Sequence, residues 1–180
     1  MRHVDLFGNI LKKFAALCLT ALSLWQAPLR AEEASSGFIE PPPWQEQTAA
    51  VPAYPEDADL LPFPVDQPAL SQTFNIDSKS LSVGTDYVVH YSVVIASSSG
   101  ARNVLFEGMR CATRKFRTYA YGDAAQSFHP AQSDKWQPVS QYGWGGFRAV
   151  LLRDYLCDRQ LSPYHPNEIK YRLSHPQTVR

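Results

Sequence analysis

The chain has 180 residues, a formal net charge of +0 and 44% hydrophobic residues. That neutrality hides a division: residues 32–70 carry eight acids and no Lys or Arg, whereas from Ser71 onward 13 Lys and Arg stand against eight Asp and Glu. These counts exclude residues 32–70 as a self-sufficient core and leave room for one small domain after them; they also exclude a transmembrane span, because the apolar run Phe14 to Trp25 is only about a dozen residues long.

Arg2, Lys12 and Lys13 precede or open that run, and Gln26-Ala27-Pro28-Leu29-Arg30-Ala31 ends it with a helix breaker and a small residue. Positive, apolar and small residues in this order read as a cleavable export signal over 1–31, cut after Ala31. The expected location is the periplasm, with release from the cell left open. Cys18 is not expected to carry lipid, since Leu17 before it is bulky and only Phe14 to Leu17 separate it from the lysines. Without the leader, Cys111 and Cys157 remain as an even pair in an oxidising compartment, which predicts a structural disulfide. A catalytic thiol would instead want a nearby base and a low pKa, and no Cys/His motif surrounds either cysteine.

Residues 32–70 hold eight of the 14 prolines, including Pro41-Pro42-Pro43, so most of this acidic arm is expected to be extended linker. Trp44, Tyr54, Leu60, Leu61 and Phe63 are too apolar for a solvated spacer, and the stretch around Leu60 to Val65 is expected to dock on the domain. From Phe74 to Tyr121 the period is two and the residues are β-branched and aromatic, as in strands. Ser80 to Val83 is one strand, joined through Gly84-Thr85-Asp86 to a second over Tyr87 to Ala96. Tyr87, Val89, Tyr91, Val93 and Ile95 form its core side, and His90 lies on the more exposed side. Asn103 to Cys111 and Arg114 to Tyr121 continue the meander, which Gly122-Asp123 closes.

The period then changes: Phe147, Val150, Leu151, Asp154 and Tyr155 recur at helical spacing, with Arg148, Arg153 and Arg159 off the stripe or near its end. The predicted architecture is an α+β domain over 71–157, an antiparallel β-meander packed on one face by this C-terminal amphipathic helix and stapled by Cys111 and Cys157. Residues 158–180 read as a flexible tail.

Leu60-Leu61-Pro62-Phe63, Ser80 to Gly84, Tyr87 to Val94, Phe106-Glu107-Gly108-Met109-Arg110-Cys111-Ala112-Thr113-Arg114, Tyr119 to Gly122, Trp136-Gln137-Pro138 and Asp154-Tyr155-Leu156-Cys157 resemble the cryptic neisserial protein-like family, small exported proteins of Gram-negative, mostly β-proteobacterial, cells. The Glu-Gly-Met-Arg-Cys block with a later Leu-Cys is the most specific part. The resemblance covers most of the domain. It implies an envelope location and a shared domain, and it brings no catalytic residues.

Glu107, Arg110 and Arg114 bracket a Gly and a Cys within eight positions, with Glu107 on the face of Cys111 and Arg110 on the other. General acid/base catalysis would want a second titrating partner, so Glu107 is a polar-site candidate whose expected role is a structural salt bridge, and no residue is named as catalytic. His90, His129, His165 and His175 show no zinc spacing, and neither a Gly-x-Ser-x-Gly elbow nor a phosphate-cradling glycine loop occurs. No metal and no cofactor is expected.

Arg102, Arg110, Arg114, Lys115 and Arg117 alternate with Phe106, Phe116, Tyr119 and Tyr121. In a cytosolic protein this mixture would suggest nucleic acid, which export argues against. The candidate binding residues are Arg110, Arg114, Arg117, Tyr119 and Tyr121, with Trp136 and Trp144 as the walls of a groove for a sugar or peptide. The partners considered are an envelope protein, a cell-wall polymer, an anionic surface or the chain's own acidic arm; a plain solvated strand face is the alternative. The expectation is a non-catalytic binding or structural module of the cell envelope, set against a small periplasmic hydrolase and a subunit of an envelope assembly.

Overall fold

The structure, a computed structural model, describes residues 42–66 and 71–176. The leader expected over 1–31, Cys18, the first acids of the arm and the last four positions lie outside them. Among the described residues eight antiparallel strands make one sheet: β1 Leu60–Phe63, β2 Gln72–Asp77, β3 Ser82–Val83, β4 Val88–Ser97, β5 Arg102–Arg110, β6 Lys115–Gly122, β7 Phe128–Pro130 and β8 Gln137–Pro138. Their order is β1-β2-β4-β5-β6-β7. β3 continues the β2 edge of β4, pairing Val83 with Val89, and β8 pairs Gln137 with Phe116 at the outer edge of β6.

Two helices pack on one face. The helix α1, over 147–156, is α-helical over Phe147–Val150 and π-helical over Leu151–Leu156; α2 spans Pro166–Ser174. Val89, Tyr91, Val93 and Ile95 of β4, Met109 and Phe116 meet Phe147, Leu151, Tyr155 and Leu156 of α1 and Ile169 and Leu173 of α2 in a single core. Phe63 of the acidic arm belongs to it, 5.9 Å from both Phe74 and Tyr155 between ring centres. The expected docking of Leu60 to Val65 therefore takes the form of an added edge strand. Cys111, just after β5, is bonded to Cys157 at the end of α1, with 5.7 Å between their Cα atoms. Closing 46 residues stabilises the fold by roughly 4 kcal/mol in the chain-entropy account.

The α+β class, the antiparallel sheet and the disulfide agree with the sequence reading; β1 and β2 add to the meander at one side and β7 and β8 at the other, so that it does not close at Gly122-Asp123, and three further details differ. In place of a loose tail after residue 158, Pro166–Ser174 is helical, begun by Pro166 at its first turn, and its Ile169 and Leu173 enter the core. Tyr87 does not lead the core face: its φ of 62° turns the side chain out, and the strand begins at Val88. His90 is buried rather than exposed, because the second face of the sheet is covered too. All of Val88 to Ile95 is buried, which requires a cover on each side. Helices supply one cover, and residues 43–54 of the extended arm supply the other.

Candidate functional site

Register assembles the first cluster. β5 pairs Glu107 with Tyr91 of β4 and with Thr118 of β6, so three polar side chains stand in a row on the helix-covered face. Glu107 has 0% exposure. Its Oε2 accepts from the Tyr91 hydroxyl (3.2 Å) and its Oε1 from the Thr118 hydroxyl (3.0 Å). Arg148 reaches down from α1 with Nε 3.2 and 3.0 Å from the two oxygens and Nη2 2.5 Å from Oε1. Its guanidinium is sandwiched near Phe116 and Phe147, 4.0 and 4.5 Å from their ring centres. Burial works against the Arg148 charge, but the hydrogen bonds and charge of Glu107 outweigh it and raise the pKa; burial and Glu107 together hold the Tyr91 phenol well above its usual range. Both carboxylate oxygens are thus engaged by fixed neighbours. Glu107 forms the expected salt bridge, but with Arg148 and not with Arg110 or Arg114.

A second cluster sits on the opposite face, where the arm lies. A β-bulge between Phe106 and Glu107 gives β6 an extra residue, and Tyr119 turns over Gly108. A Cβ at Gly108 would stand 2.7 Å from the Tyr119 hydroxyl and 2.9 Å from Val88, so only glycine fits under the ring. Glu46 of the arm meets three donors, two from β6 and one from just before β8: Arg117 Nη1 at 2.8 Å, the Tyr119 hydroxyl at 2.8 Å and the Trp136 indole N–H at 3.0 Å. Burial, then the contact with Glu46, raises the Tyr119 pKa far above the ordinary phenol value. Beside it, the Trp44 indole N–H donates to the Asp86 carbonyl (2.8 Å), its ring meets Trp136 edge-on at 6.0 Å, and Arg110 stacks on it at 3.7 Å. Further along, Tyr54 donates to the Asp123 carbonyl and packs so closely on Gly122 that a Cβ there would lie 2.7 Å from its ring.

His90 lies within this layer, its ring 5.5 Å from Tyr119 and 6.2 Å from Phe106. Its Nε2 has no hydrogen-bond partner among the described residues. Burial lowers its pKa, against the opposing charges of Asp86 and Glu46.

Four candidate binding residues, Arg110, Arg117, Tyr119 and Trp136, are therefore brought together, and the chain's own Trp44 and Glu46 occupy them. The other three stand apart. Arg114 caps the turn after β5 with φ 51° and is exposed, Tyr121 lies on the helix side beside Leu105, and Trp144 is 69% exposed in the Gly143–Gly145 turn. Among the described residues the ring that Trp136 meets is that of Trp44. Sequence reasoning places Arg148 off the apolar stripe, whereas its side chain is only 13% exposed and turned to Glu107; the signal was its i, i+3, i+7 spacing with Leu151 and Tyr155. It also missed Trp44 and Glu46, whose signal was an aromatic and an acid in a segment without cations, facing a domain rich in them.

Among the described residues no group of three or more His, Cys, Asp and Glu could hold a metal ion, and no helix is long and apolar enough to cross a membrane. The sequence profile of the CNP1-like family matches residues 39–174, well over half of the chain and including both the arm's anchors and α2. No curated protein and no solved structure matches.

Proposed function

The chain belongs to the CNP1-like family, and on that premise we propose that it is an exported cell-envelope protein acting as a non-catalytic binding or structural module. The observation that carries the binding half is the grip on Glu46. An arginine, a phenol and an indole converge on one carboxylate, a means of holding an acidic segment by charge-assisted hydrogen bonds and not of transforming it. The chemistry of this face suits an acidic envelope partner or an anionic cell-wall polymer, with the arm as its internal occupant. The envelope half rests on the leader-like residues 1–31 and on the disulfide, which belongs to oxidising compartments. The hydrolase alternative loses its principal residue, because Glu107 is neutralised by Arg148 and closed in by Tyr91 and Thr118.

Non-reduced mass spectrometry of the protein purified from the periplasmic fraction of its own host tests the proposal. The expected mass is that of residues 32–180 less two hydrogens. An uncleaved, lipidated or reduced cytosolic species would refute the envelope location, and hydrolytic turnover abolished by Glu107→Gln in a folded protein would refute the non-catalytic role.

A further inference from the structure

Two surface turns of this chain are folded alike, and each carries a bulky side chain where backbone conformation favours glycine. Over 84–88, Gly84 N–H donates to Val88 O (3.0 Å) and Tyr87 N–H to Gly84 O (3.0 Å); over 158–162, Asp158 N–H donates to Ser162 O (2.8 Å) and Leu161 N–H to Asp158 O (3.1 Å). Tyr87 and Leu161, in the equivalent position, both have φ 62°. The matching turn over 97–101 uses Gly100 there, and the one over 123–127 uses the polar Gln126. A tyrosine and a leucine in the left-handed region are strained, and such strain persists where the side chain has a use.

These two residues, distant in sequence, line the same hollow of about 260 Å³ together with Trp44, Arg110 and Pro163. Arg102, Arg117, Arg148, Arg153 and Arg172 each reach a carboxylate. Arg110 has no such partner among the described residues, although it is half-buried and stacked 3.7 Å over the Trp44 ring. The nearby Asp86 carboxylate already accepts from the backbone N–H groups of Gln47 (2.8 Å) and Val88 (3.2 Å). The hollow thus has largely apolar walls, with Asp86 and Ser162 also on its lining, and one pre-positioned guanidinium that meets no carboxylate among the described residues. Its volume lies below the roughly 300 Å³ at which pockets for drug-sized ligands begin, room for about one ring or branched side chain.

We propose that this hollow binds a small apolar carboxylate, its acid group on Arg110 and its body between Tyr87, Leu161, Pro163 and Trp44. The inference deepens the binding-module reading by naming a ligand class, and it uses a site beside the Glu46 grip. Its failure would leave that reading standing, since the latter is tested by compartment, mass and hydrolytic turnover.

The experiment is calorimetric titration of the full disulfide-bonded chain with N-acetyl-L-phenylalanine and with its uncharged carboxamide. The acid should bind saturably at one site and the amide at least tenfold more weakly, and Arg110→Met should weaken the acid at least tenfold. Tyr87→Gly and Leu161→Gly carry the sharper signature: each should raise the melting temperature by relieving the backbone while weakening the acid several-fold. A purely structural role for either side chain would lower the melting temperature instead. Absence of saturable binding, equal affinity for acid and amide, or full affinity in folded Arg110→Met overturns the proposal; should Arg110→Met not fold, undiminished binding by Tyr87→Gly does so. An N-acetylated hexapeptide ending in phenylalanine separates the sources of the ligand. Tighter binding than the single residue supports a chain terminus, and equal or weaker binding supports a free acid.

Discussion

A carboxylate carried to the centre of a sheet costs several kcal/mol unless its charge is matched and its lone pairs are satisfied, and Glu107 meets both conditions through Arg148, Tyr91 and Thr118. Removing one ion leaves the other uncompensated, so Arg148→Met should destabilise the fold by about 3–5 kcal/mol. Adding Glu107→Leu to that variant should recover most of the loss. Urea denaturation of both singles and the double measures this, and simple additivity would contradict the pairing. His90 gives a pH dependence of defined sign. Burial holds its folded pKa below the unfolded value of about 6.5, so the stability of the neutral form is complete above that value and declines as pH falls toward the folded pKa. Asp86 and Glu46 oppose this shift without reversing it. His90→Phe should flatten the fall in melting temperature between about pH 7 and pH 5, as thermal melts across that range would report. Glu107 was legible as a salt-bridging residue; its partner was not, because strand pairing and helix placement decide which cation reaches it.

At the scale of elements, strands β4, β5 and β6 were legible because alternation of β-branched and aromatic residues over eight or more positions has a strong period of two. Helix α1 was legible for the same reason at period 3.6. Helix α2 was hidden: in Pro166–Ser174 only Ile169 and Leu173 are buried, one i, i+4 pair among polar neighbours. Such a helix exists because tertiary packing rewards two side chains, not because propensity demands it. Ile169→Ala should therefore cost about 2–5 kcal/mol, whereas Tyr171→Ala, one turn face away and 53% exposed, should stay within about 0.5 kcal/mol. Chemical denaturation of the two variants separates a core element from a tail; equal small effects would remove α2 from the core.

The described residues from Pro43 onward form a sheet with two covers of different kinds, helices on one face and an extended stretch of the acidic arm on the other. The arm's anchors, Trp44 and Glu46, share few bonds with the helical core, so loosening them should open one face alone. Trp44→Ala with Glu46→Gln should raise deuterium uptake over 43–56 and across the His90 region, while the residues around Cys111 and Cys157 keep their protection; uniform uptake across the whole chain would show instead that the arm folds as one unit with the core. The sequence by itself determined strands β4, β5 and β6, the α1 stripe, the division of charge and the cysteine pair, since each follows from local periodicity, composition or pairing arithmetic. Tertiary structure alone decided that Arg148 answers Glu107, that Glu46 joins Arg117, Tyr119 and Trp136, and that the weaker face of β4 is buried. Those contacts join residues 41 to 90 positions apart, and which distant groups meet is set by register, bulge and the path of the arm, none of which leaves a periodic mark in the chain.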